Sequence, residues 1–337
     1  MLSFRPKRGW GPLAVFAVIV CAGLVYFFFS VISSGGSNHE IRHRLAGTPL
    51  KTAVTNDPVL VGAGDISSCA QDNDASTAKL LDGVVNGATG EVVVFTAGDN
   101  AYESGTDAEF QQCYDPTWGR YKDRTRPAPG NHEYQSGKAD GYFKYFGAAA
   151  GDPTRGYYSY DLGTWHIVVL NTNDHCKQVA CENGSAQEEW LRADLAAHPA
   201  ACTLAIWHDP RFTSGTKHGN SPWVIPFWDD LYKQGADVVV SAHEHNYERF
   251  APQTPAGESD PQFGIREFVV GTGGESHYSD SKSALANSEV GDDSTYGVIK
   301  LILHPQGYDW EFIPQGRGGD AFRDWGSGVC HGPPKSG

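Results

Sequence analysis

The sequence predicts a mixed α/β protein on three observations. From residue 58 onward, short apolar runs rich in β-branched residues alternate with amphipathic stretches, the pattern of strand–helix crossovers. Near the end, YGVIKLIL (296–303) and YDWEFIP (308–314) read as a strand pair without an intervening helix, so a mixed sheet or a second sheet is expected. The 40 glycines and 19 prolines among 337 residues leave much of the chain for loops.

In order, PVLVGAGD (58–65) reads as a buried strand, DASTAKLLDGVV (74–85) as a helix and EVVVFTAGD (91–99) as a second strand. The stretch TDAEFQQCYDPTWGRYKD (106–123) is expected to be helical. GYYSYDLGTWHIVVLNTN (156–173) holds two strands turning at Asp161–Gly163. Ser185 and Glu188 form a capping box that opens a helix over 186–198. CTLAIWHD (202–209) is a strand, 224–235 a helix closed by Gly235, and ADVVVSAHEH (236–245) and IREFVVGTGG (265–274) are further strands.

Residues 12–32 are apolar and uncharged, long enough to cross a bilayer, and Arg5, Lys7 and Arg8 precede them. The reading is a cytoplasmic segment 1–11, a single-pass signal anchor 12–32, a polar linker 33–57, a folded domain 58–314 outside the cytoplasm and a glycine-rich tail 315–337. A cleaved signal peptide, releasing a secreted protein, is the alternative. Six cysteines outside the apolar segment (Cys69, Cys113, Cys176, Cys181, Cys202 and Cys330) suit disulfides in an oxidising compartment, and the sequence does not choose among their pairings. The net charge of −14 argues against a nucleic-acid polymer as partner.

Several expected strands end in a residue type that binds metals: Asp65, Asp99, His208, and the pair His243 and His245; a short segment, RPAPGNHEY, adds Asn131 and His132. Each alone has a plain structural reading as a turn residue or a hydrogen-bonded histidine. Together, at strand ends that face one crevice, they point to a metal site. Carboxylates can bridge two cations, imidazoles suit zinc, iron or manganese, and two close metals can clamp a phosphoryl transfer. Structural readings stand for His166 inside a strand, His198 at a helix end, His175, His304 and His331 in loops, and Asp72 and Asp74 as helix caps; His277 could line the cleft, and Glu244 is expected to point away from the site.

The ordered set GD, GDNAY, GNHE, WHDP and AHEHNYER resembles the calcineurin-like metallophosphoesterase superfamily, and within it the purple acid phosphatases. The resemblance covers about residues 58–314. It implies a four-layer αββα sandwich of two mixed sheets. It also implies two metal ions: Fe(III) held by Asp65, Asp99, Tyr102 and His245, and Fe(II), Zn or Mn held by Asp99, Asn131, His208 and His243, with Asp99 bridging. Most of the superfamily has Asp-x-His in the first motif, whereas here Ser67 follows Asp65 by two; the purple enzymes use instead a tyrosine three residues after the bridging aspartate, here Tyr102. His132 and His218 are the implied substrate-facing histidines, with His132 as general acid. The implied activity is hydrolysis of small phosphate monoesters by metal-bound hydroxide, with a phosphodiesterase or nucleotidase on the same site, or a non-catalytic binding module, as alternatives.

Overall fold

Two sheets lie face to face because alternate residues of one of them need two separate apolar partners. The computed structural model describes residues 56–278, 283–316 and 321–332. The first sheet runs, edge to edge, through Asp324–Val329, Gly307–Pro314, Gly297–His304, Val59–Ala63, Val92–Ala97 and Thr125–Ala128. Val59–Ala63, Val92–Ala97 and Thr125–Ala128 are parallel, and the remaining neighbours pair antiparallel. The second sheet runs through Ser288–Asp292, Tyr247–Phe250, Arg266–Val270, Val238–Ser241, Cys202–Ile206, Trp165–Val169 and Tyr158–Leu162, and its four central strands from Arg266–Val270 to Trp165–Val169 are parallel.

The period-two alternation of the central strands separates two cores. Ile167, Val169, Leu204, Ile206, Val238, Val240, Phe268 and Val270 join the core between the sheets. Val168, Ala205, Val239 and Val269 pack instead with Leu191, Leu195, Phe227, Trp228 and Leu231 of the helices Ala186–Ala197 and Ile225–Gln234. On the far side, helix Asn73–Gly87 packs against the first sheet. The layers therefore follow the expected order of helix, sheet, sheet, helix. Each buried aliphatic or aromatic side chain contributes about 1.5–3 kcal/mol.

Four local expectations are corrected. Residues 106–123 do not form one helix. A capping box of Thr106 and Glu109 opens a short turn, which widens into a π-turn at Phe110–Tyr114 and resumes as a 3₁₀ helix at Trp118–Arg124. At Ser185 the hydroxyl accepts the Glu188 amide, but the Glu188 carboxylate takes the Gly184 amide instead of closing the box. Asp72 makes no side-chain cap, whereas Asp74 accepts the Ala75 amide of the first turn together with the Ser67 and Thr117 hydroxyls, so Ser67 serves as a tie within the fold. Asp324–Val329, read as part of a tail, forms an edge strand because Asp324 accepts from Tyr247, Arg249 and Trp310 and Cys330 bonds to Cys202. The other disulfides are Cys69–Cys113 and Cys176–Cys181. Among the described residues no helix is long and apolar enough to cross a membrane; the span 12–32 and linker residues 33–55 lie outside them.

Candidate metal centre

The carboxyl ends of the parallel strands of both sheets open on one crevice, where backbone bonds stitch the sheets together: the Gly64 amide donates to Val270, and the Gly273 amide to Gly64. Chain reversal here is abrupt. Asp65, Asp99, His243 and His245 all have left-handed backbones, with φ of 56°, 50°, 72° and 42°. A non-glycine residue in that region costs about 1–2 kcal/mol, so four in one crevice mark a place where side-chain direction outweighs backbone comfort. Gly130 is required beside them, since a Cβ there would lie 2.2 Å from Asp99 Oδ1.

Two donor clusters share one atom, Asp99 Oδ2. On one side Tyr102 Oη lies 2.8 Å from Asp65 Oδ1, 3.2 Å from Asp99 Oδ2 and 3.2 Å from His245 Nε2. On the other, His208 Nε2 lies 3.0 Å from Asp99 Oδ2, 3.1 Å from Asn131 Oδ1 and 3.0 Å from His243 Nδ1. The other oxygen, Asp99 Oδ1, is already engaged by the His132 amide at 2.8 Å.

The donor set fits two cations. His208 Nδ1 donates to the Ala97 carbonyl at 2.8 Å, and His245 Nδ1 donates to Ser276 at 2.6 Å. A neutral imidazole that donates through one nitrogen presents a lone pair on the other. With Nδ1 committed to a carbonyl on each ring, His208 Nε2 and His245 Nε2 are the atoms that face the clusters. Around His208 Nε2 lie Asp99 Oδ2, Asn131 Oδ1 and His243 Nδ1; an imidazolium proton here holds the Asp99 carboxylate, and a cation would take that proton's place among the same donors. Asp65, Asp99, Tyr102, His208, His243 and His245 are all at most 4% exposed.

The electrostatics are those of a buried charged pair, Asp99 with His208. Burial would raise the Asp99 carboxyl, but His208 and His132 beside it pull it well below the usual carboxylate range. Asp65 is raised by burial despite His245 and His208. His208, which burial alone would depress, is pushed up to about 10 by Asp99, and burial lowers His243. Burial, with Asp65 and Asp99 adding to it, pushes the Tyr102 phenol far above its ordinary value. In this cage a phenolate therefore calls for a strongly polarising ion.

All nine sequence-selected residues gather here. His132 Nδ1 donates to the Glu103 carbonyl at 2.6 Å, and its Nε2 stands 3.9 Å from Asp99 Oδ2. The His218 ring lies 3.9 Å from that of His243. His277 does not face the donors; its Nδ1 donates to the His245 carbonyl and its ring packs on Tyr296. His166 is held between Asp161 and Asp194 in the second sheet.

Sequence reasoning missed three residues. Glu133 accepts the amides of Asp99, Asn100 and Gly130 and so joins the two loops that carry Asp99 and Asn131; its signal was an acid directly after Asn131–His132. Asp209, fully buried, has neither side-chain oxygen hydrogen-bonded and lies 3.8 Å from His243 Nε2. The Tyr278 ring stacks on His245 at 4.1 Å; nothing in its local sequence marked it.

Residues 50–247 match the calcineurin-like phosphoesterase family. Purple acid phosphatase 15 of Arabidopsis thaliana is 29% identical over 189 residues, covering 50% of this chain and 34% of that protein. Acid phosphatase type 7 of Homo sapiens is 27% identical over 253 residues, covering 68% of this chain and 54% of that one. The chain thus spans between a third and about half the length of these relatives. A solved purple acid phosphatase from yellow lupin (Lupinus luteus) seeds superposes with a TM-score of 0.61 at 18% identity, covering 80% of this chain and 53% of that chain. GAP50, the anchor in the inner membrane complex of Plasmodium, superposes at 0.62 with 12% identity over 83% and 90%. At such identities these structures speak to the fold alone. With all nine candidate site residues inside the matched region, the chain belongs to the calcineurin-like phosphoesterase family and has purple acid phosphatases among its relatives.

Proposed function

We infer that this protein is a binuclear metal-dependent phosphomonoesterase of the acid phosphatase kind, acting on small phosphate esters outside the cytoplasm. The observation that carries the reading is that Asp99 Oδ2 lies in both donor clusters, so Asp99 would help hold a cation on either side. Asp65, Tyr102 and His245 would complete one metal site, with Fe(III) the ion suited to a phenolate; Asn131, His208 and His243 would complete the other, for Fe(II), Zn or Mn. When bound, the two ions supply an activated water and neutralise phosphoryl charge.

The chain's own groups supply the rest. The Nδ1–H bond to Glu103 fixes the His132 ring so that Nε2 faces the crevice. Burial would lower this imidazole, but Asp99 raises it, so it holds a proton in the acid range. From that position His132 gives the proton to the departing ester oxygen. His218, whose ring lies against that of His243, would meet the phosphate at the mouth of the crevice. Three disulfides support an oxidising compartment, and the apolar segment 12–32 supports a membrane anchor or a cleaved signal.

Asp99→Asn tests the reading, with p-nitrophenyl phosphate as substrate and circular dichroism as the fold control. Activity should be abolished while the spectrum is retained. Wild-type turnover in the variant would refute it. Running bis(p-nitrophenyl) phosphate alongside decides between monoester and diester.

A further inference from the structure

The segment Asp209–Gly219 leaves the His208 strand end and carries His218 to the mouth of the crevice with no helix or strand of its own. Three buried carboxylates hold it. Glu267 accepts the Arg211 amide at 2.8 Å and the Phe212 amide at 3.0 Å. Glu248 accepts the Ser214 amide at 2.7 Å together with the Thr213 and Ser214 hydroxyls. Glu244 accepts the amides of His218 and Gly219, both at 2.7 Å on Oε1, and the Lys217 amide also donates to it. None of the three glutamates is more than 2% exposed.

Glu244 differs from the other two in what lies beside it in the chain. It sits between His243 and His245, whose left-handed backbones turn both imidazoles into the donor clusters and send Glu244 the opposite way, under the loop. One residue therefore registers His218 against two metal-ligand candidates with no flexible element between them. The fit is close: a Cβ at Gly215 would meet the Glu244 carboxylate at 2.5 Å, so glycine is needed where the loop crosses it.

The geometry assigns to Glu244 the role of positioning residue for His218, with Glu248 and Glu267 securing the earlier part of the same strap. The assignment deepens the phosphoesterase reading and rests on it for the role of His218 toward substrate. It does not rest on it for the loop itself. A buried carboxylate with three amide donors loses most of its hold when it has no oxygen to accept with, whereas glutamine keeps one acceptor oxygen.

The test uses the full-length, metal-loaded protein and the variants Glu244→Val, Glu244→Gln, His218→Ala and the Glu244→Val/His218→Ala double. Hydrogen exchange across 211–221 should speed up ~10-fold or more in Glu244→Val, and less in Glu244→Gln, with the remainder of the sheets unchanged. On p-nitrophenyl phosphate, Glu244→Val should shift kcat/KM in the same direction as His218→Ala, with the double no worse than His218→Ala alone. Metal content should stay at the wild-type level. Unchanged exchange, multiplicative losses in the double, or loss of metal in step with activity would each overturn the assignment. Should Glu244→Val fail to fold, Gly215→Ala replaces it as the probe that displaces the carboxylate, with the same outcomes expected. A wild-type protein without phosphatase activity would defeat the functional reading, and the exchange result would still decide the loop.

Discussion

Replacing Glu133 by alanine should destabilise the protein far more than a typical surface change, because Glu133 serves amides from two separate loops. Its carboxylate is fully buried and accepts Asn100 N at 2.7 Å, Gly130 N at 2.7 Å and Asp99 N at 3.0 Å, with Ala101 N more distant at 3.4 Å. Alanine leaves three buried N–H groups without an acceptor. Each costs about 1–3 kcal/mol when stranded, and relaxation or an entering water recovers part. The expected loss is about 3–5 kcal/mol. Glutamine should recover only part of this, since Asn100 occupies one oxygen while Asp99 and Gly130 occupy the other, and an amide NH₂ would meet donors on either side. Urea unfolding of the chelator-treated protein measures the loss free of metal effects, through the midpoint at constant m-value. Reloading with iron should then show lowered metal occupancy, because the Asp99 and Asn131 loops are no longer tied. A loss below about 1 kcal/mol in Glu133→Ala would show that the carboxylate is not what joins the loops.

Three further outcomes are expected. Tyr102→Phe, loaded with iron, should lack the visible charge-transfer band of an Fe(III)-phenolate; a band of unchanged intensity would remove Tyr102 from the ligand set. His166 is buried, which alone would lower its pKa, but hydrogen bonds to Asp194 and Asp161 outweigh burial and raise it above 6.5. Its contribution to stability is full below pH 6.5 and fades as pH rises through the raised value, while Asp194, lowered chiefly by its bond to His166 against burial, loses its share only on acidification below about 3.8. The urea midpoint gap between wild type and His166→Phe should therefore be wider at pH 5 than at pH 9, and an equal gap would contradict the ion pair. Cys330→Ser opens a bridge of sequence separation 128, worth up to ~5 kcal/mol by chain entropy, against ~2 kcal/mol for the Cys176–Cys181 bridge of separation 5; equal losses under non-reducing conditions would refute the entropic ordering.

Much of the fold was legible because its signals are local. Runs such as VVVF and VVVS can hardly be anything but buried strands, and the strand pair at 158–169 and the helix end at Gly235, with φ of 78°, came out as read. Where competing local bonds decided, reading failed. The Thr106–Glu109 box and the π-turn after it broke an expected helix, and the Glu188 carboxylate took a neighbouring amide in place of the box. The edge strand Asp324–Val329 has no apolar run to announce it; its place depends on Asp324 meeting Tyr247, Arg249 and Trp310.

By itself the sequence determined which residue types end each strand, and with them the chemistry of the crevice: two aspartates, an asparagine, a tyrosine and histidines, spaced so that only a shared crevice explains them. Tertiary structure alone decided how they meet. That Asp99 offers a single oxygen to both clusters, that His208 and His245 turn their Nε2 atoms inward, and that Glu133 and Glu244 strap the flanking loops are relations between residues far apart in the chain, 143 positions for Tyr102 and His245 and 111 for Ala97 and His208. Such relations are set by the packing of two sheets and by the left-handed turns at Asp65, Asp99, His243 and His245. No local pattern encodes them.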